Sequence, residues 1–182
     1  WYRIIGGSGL DRGMDIDVNA YGVFMTGIFT NNGILGTLIP ILPINGEINN
    51  FVLALNASNG TTLWDAVLTS TADDFNVPSS NDDIKRTGIS ADDNGVYLVT
   101  YFNGLAYRVY NSSDVLSATI TDPNISTEDF VVTSYTNSGS HNWSVLYDNP
   151  QNLTFGLDIT NDCSGVYVSG TLHNGGVTPG GT

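Results

Sequence analysis

Apolar residues along this chain come in short runs broken by polar turn formers. The runs "FVLALN" (51–56), "FVVTSY" (130–135), "GVFMTG" (22–27), "GVYLVT" (95–100) and "GVYVSG" (165–170) are rich in Val, Phe and Tyr, and Gly, Asn, Asp or Ser interrupts each of them. Short β-branched and aromatic runs bounded by such residues predict β-strands. Junctions such as "NG" and "SG" predict tight hairpin turns, because Gly accepts positive φ without steric cost. The fold class expected is all-β.

The strands recur. Residues 51–64 and 130–143 are both 14 residues long, open on Phe-Val, carry Gly nine residues after the Phe and close on Trp. A second pattern appears three times without gaps, at 13–27, 86–100 and 156–170. It aligns Ile16 with Ile89 and Ile159, and Gly22 with Gly95 and Gly165, each Gly followed by Val and an aromatic residue. Segments opening on Trp1, Trp64 and Trp143 align as well. Spacing of this order marks a repeat architecture. Four antiparallel strands per unit, repeated, predict β-propeller-type blades. Central blade strands are covered on both faces, which suits the unbroken apolar runs. The three Trp residues and Ile16, Ile89 and Ile159 are expected to pack between blades.

On this reading residues 1–50 hold the second half of a blade and a linker. Residues 51–129 hold a full blade with an acidic loop and a long linker insertion, and 130–182 a third blade and a C-terminal tail. The linker insertion contains two more strand-like runs, "LAYRVY" and "VLSATIT", expected to form an added hairpin. About two and a half blades cannot close a ring, since such rings need at least four. The expected partners are therefore the remaining blades of a longer chain, or further copies of this one.

The segment 1–27 resembles the SBBP-type β-propeller repeat through Trp1, Gly6, Gly7, Gly9, Asp11, Gly13, Ile16, Gly22 and Gly27. The second unit departs from that pattern, with an acidic loop replacing the Gly-Gly turn and Thr100 standing where Gly27 aligns. Residues 54–64 are similar to the Trp-docking motif of quinoprotein-like blades, with Asn56 in the usual Asp slot. These resemblances imply a fold and leave the function open, because propellers host many unrelated activities.

Composition narrows the chemistry. The acidity comes from 16 Asp and only 2 Glu, set against one Lys and four Arg, for a net charge of −13. That balance speaks against nucleic acid or an anionic bilayer, which need clustered cations. The longest apolar run, 33–44, is too short for a membrane span and carries two prolines. One Cys and two His provide no zinc set, and both His141 and His173 are expected at the surface. "GGSGL" at 6–10 fits neither a nucleophile elbow nor a dinucleotide loop.

Asp15, Asp17 and Asn19 begin like a calcium loop, but Ala20 stands where the turn Gly belongs and no Glu follows. Asp73, Asp74, Asp82 and Asp83 form a weak metal candidate in the acidic loop. No cofactor is expected, with calcium left open. Asn-x-Ser/Thr sequons mark Asn56, Asn59, Asn111, Asn124, Asn142 and Asn152 as glycosylation candidates, with Asn142 expected to be partly shielded by Trp143. The resulting expectation is a non-enzymatic structural or adhesive segment of an extracellular or cell-surface repeat protein, with filament assembly in view. A carbohydrate- or calcium-dependent binding module is the alternative, and glycans are the expected ligand. A propeller enzyme ranks third, because no catalytic set assembles.

Overall fold

The structure, a computed structural model, describes residues 1–6, 11–29, 49–70, 87–102, 106–122, 129–148, 154–172 and 178–181. Asp73, Asp74, Asp82, Asp83, Asn124, Asn152, His173, Gly7, Gly9 and the apolar run 33–44 lie outside them. No helix occurs among the described residues, and the chain is all-β.

The first sheet contains β1 (Asp11–Asn19), β2 (Gly22–Phe29), β3 (Asn49–Leu55), β4 (Thr62–Ser70), β7 (Ala106–Tyr110) and β8 (Leu116–Thr121), in the order β1-β2-β3-β4-β7-β8. The second contains β5 (Thr87–Asp92), β6 (Gly95–Phe102), β9 (Asp129–Tyr135), β10 (His141–Asp148) and β13 (Thr178–Gly181), in the order β13-β10-β9-β6-β5. The third pairs β11 (Thr154–Asp162) with β12 (Gly165–Leu172). Neighbouring strands are antiparallel, and no sheet closes on itself. The hairpin expected within the linker insertion is β7–β8, and it extends the first sheet beyond β4.

The sheets divide the repeat differently from the sequence grouping. Residues 51–70 share a sheet with 11–29, whereas 87–102 join 129–148. The first two sheets each begin on an Ile strand and continue through the Gly-Val strand to the Phe-Val and Trp strands, and the third holds an Ile strand and a Gly-Val strand. Burial supplies the reason: β3 and β9 are buried along their whole length and take central places. The half-exposed Ile strand β1 accepts an edge. Turn signals are equally good for either grouping; the fully buried strands decide it.

The two matching hairpins also differ by one residue. Val23 lies opposite Leu55 and Val96 opposite Tyr135, so Phe51 corresponds in space to Val131, not to Phe130. The turns absorb the difference. Asn56 N–H bonds to Thr61 O across the first loop and Thr136 N–H to Ser140 O across the second, which is one residue shorter. Trp64 opposite Ala54 and Trp143 opposite Ser134 then fall back into step. A one-residue slip turns a strand side chain to the other face. Phe51 accordingly clusters with Phe29, Leu53 and Leu55, and Phe130 with Val132 and Ile159.

The sheets stack in chain order. Phe24, Val52, Trp64 and Leu68 of the first meet Ile89, Val96, Leu98 and Tyr135 of the second. Val132 and Phe130 of the second meet Ile159 of the third, with Trp143, Val166 and Val168 packed alongside. Ile5 packs on the opposite face of the first sheet.

Candidate functional site

Among the described residues every hairpin turn lies at one end of the stack. At that end Asn19, Asp92 and Asp162 occupy equivalent places, and each side-chain oxygen accepts from the backbone of its own turn. Asn19 Oδ1 takes Tyr21 N–H, Asp92 Oδ1 takes Asn94 and Gly95 N–H, and Asp162 Oδ1 takes Ser164 and Gly165 N–H. The Ser164 bond leads the causes that hold the Asp162 carboxyl below its ordinary pKa. Tyr167 Oη adds a bond to Asp162 at 3.3 Å. Tyr97 meets Asp92 in the same way, and burial, followed by that carboxylate's charge, raises its phenol. An open cleft of about 430 Å³ lies among these turns, lined by Asn19, Asp92, Asp93, Asn161, Asp162 and Cys163. Its acids and amides suit hydroxyl-bearing or cationic groups, not anions.

At this end one indole joins the first sheet to the second, and another docks the segment before β1 on the first sheet. Trp64 Nε1 donates to Asn137 O at 2.8 Å, in the hairpin turn of the second sheet. Trp1 Nε1 donates to Ala57 O at 3.0 Å, in the matching turn of the first. Ala57 and Asn137 are equivalent once the one-residue difference between the loops is allowed for. A glycine follows each acceptor. A Cβ on Gly60 would stand 2.4 Å from Trp1, and one on Gly139 2.8 Å from Trp64. Both glycines have positive φ, 71° and 87°. The glycine at the ninth place after Phe therefore serves twice: it turns the chain and opens the space for a ring.

The edge strands β1 and β5 are joined by carboxylates. Asp15 Oδ2 accepts Ile89 N–H at 3.0 Å and Asp17 Oδ2 accepts Ala91 N–H at 2.8 Å. Asn19 Nδ2 reaches Asp92 O at 2.6 Å and Asn137 Oδ1 at 2.9 Å. The Asp-x-Asp-x-Asn that begins like a calcium loop is thus a ladder onto the edge of the next sheet. Such side-chain caps also keep an edge strand from pairing elsewhere.

At the opposite end, Asp122, Asp129 and Asp148 place one carboxylate oxygen each within 4.8 Å of the others. Asp122 and Asp129 are buried and Asp148 is half-buried. Three carboxylate oxygens at this separation form a donor set of the kind that a hard cation takes. The sequence gives little sign of this group, because its members lie at or beside the ends of three separate strands, β8, β9 and β10.

Among the expected packing residues, Trp64, Ile89 and Ile159 are buried and Trp143 is half-buried between sheets. Ile16 and Trp1 are instead 63% and 59% exposed, because no sheet precedes the first among the described residues. His141, expected at the surface, is half-buried, with Nε2 2.9 Å from Ser144 Oγ and its ring edge-on to Tyr135. Desolvation lowers its pKa. Asn59 and Asn142 are exposed, and Asn56 and Asn111 partly so, all at the turn end. Trp143 does not shield Asn142. Comparison with family models, with curated proteins and with solved structures gives no match.

Proposed function

We propose that this chain is a structural or adhesive segment of an extracellular protein built from β-propeller-type, SBBP-like blades. One observation carries the reading: the same indole-to-carbonyl docking recurs from unit to unit, through Trp1 and then Trp64. Trp64 holds the first sheet to the second and Trp1 holds the segment before β1 to the first, which is the work of a scaffold. Four sequon asparagines at the turn end, Asn56, Asn59, Asn111 and Asn142, leave the stacking faces clear and fit a glycosylated surface protein. The test is to label intact cells with a membrane-impermeant reagent and to map glycans by mass spectrometry of the native protein. Labelling, with glycan on Asn59, is expected. A protein protected inside the cell and bare at all these asparagines would overturn the reading.

A binding module dependent on calcium or carbohydrate is the second reading, supported by the cleft at the turn end and by Asp122, Asp129 and Asp148. A glycan array read with and without calcium separates the two. Binding that calcium removal abolishes would favour the module, and an empty array would favour the scaffold.

A further inference from the structure

The two interfaces within the stack follow one rule, and the two end faces of the stack are its unmatched halves. In each interface the face bearing the aromatic residue of the Gly-Val strand meets the face bearing the next sheet's Ile. Phe24 meets Ile89 in the first interface, and Tyr97 takes the place of Phe24 where Ile159 is covered in the second. Buried in this way, Ile89 and Ile159 are 4% and 5% exposed. On the first sheet, however, the counterpart Ile16 is 63% exposed, and Val18 on the same strand 60%. On the third sheet Tyr167, counterpart of Phe24 and Tyr97, is 50% exposed.

We infer that these end faces bind one another between copies of this chain, Tyr167 of one copy covering Ile16 and Val18 of the next. The occupant is a second copy because the faces repeat an interface the molecule already makes. The sizes also agree. The outer part of the first sheet's free face is already buried around Phe51, Leu53 and Leu55, with Ile5 against it. Among the described residues the edge strand β1 is left open, and the third sheet has two strands to set against it.

Such a contact joins unlike surfaces. It propagates head to tail, and closes a ring or extends a filament according to the rotation per copy. The inference rests on the scaffold reading and adds its partner. The two can fail separately, since cell-surface labelling does not depend on association in solution.

Sedimentation velocity of the full chain over a wide concentration range is the test, with the exposed-site variants Ile16→Asp and Tyr167→Asp checked for unchanged circular dichroism. The parent is expected to form concentration-dependent oligomers, and each variant alone to sediment as a monomer. A mixture of the two variants keeps one good face of each kind, and it is expected to give 1:1 dimers and nothing larger. A parent that is monomeric at every concentration overturns the proposal. So do variants that still associate, or a mixture that stays monomeric while the parent assembles.

Discussion

Trp64 and Trp1 make the same hydrogen bond in different surroundings, which separates what the bond contributes from what burial contributes. Trp64 is 6% exposed and Trp1 59%. Trp64→Phe removes the indole N–H, strands Asn137 O and shrinks a packed ring, so a loss of about 2–3 kcal/mol is expected by urea unfolding. Trp1→Phe is expected to cost about 1 kcal/mol or less. Asp65 offers a second test. It is buried on β4, and burial, then the charge of Asp114, raises its carboxyl from 3.8 to about 6. Between those values the folded chain holds a proton that the unfolded chain has released, so this group's contribution to stability falls as pH rises through the window. Asp65→Asn removes the effect. Its stability relative to the parent should grow from pH 4 to 6, by at most about 3 kcal/mol. Equal pH dependence in the two proteins would show that Asp65 titrates normally. The Trp positions are legible in the sequence because they repeat. The part played by Asp15 and Asp17 is not, because their partners belong to another sheet 74 residues away.

At the scale of the element, the hairpin turn carries most of the specification. Gly139 has φ of 87°, and an added Cβ would meet Ser112 at 2.6 Å and Trp64 at 2.8 Å. Gly139→Ala therefore combines an unfavourable backbone conformation with displacement of the docked ring. It is expected to lower stability by about 2 kcal/mol or more in thermal or urea unfolding. Gly165 has nothing within 4 Å of an added Cβ, and Gly165→Ala should cost clearly less. Strand existence could be read from the apolar runs, and so could the inserted hairpin β7–β8. Strand grouping could not, because identical turn signals allow the Trp strand to pair forwards or backwards along the chain. The one-residue slip between hairpins was equally hidden. A gapless alignment of Phe51 with Phe130 satisfies the sequence and misses the register, since the compensating deletion falls in a polar loop.

For the molecule as a whole, stability in a linear stack is a sum of sheet terms and nearest-neighbour junctions. Two substitutions at one junction, such as Trp64→Phe with Asn19→Ala, should couple, whereas Trp64→Phe with Asp158→Ala should be additive within about 0.5 kcal/mol; a double-mutant cycle by urea unfolding checks this. The stack also has an order of assembly in time. Trp64 precedes its acceptor by 73 residues, so during synthesis the first sheet is complete while its anchoring carbonyl has not yet been made. Until the hairpin at 136–140 emerges from the ribosome, the Trp64 indole lacks its acceptor. Through Trp64 the first sheet is docked onto chain made after it, and a pause in translation between those two points would leave that dock unmade.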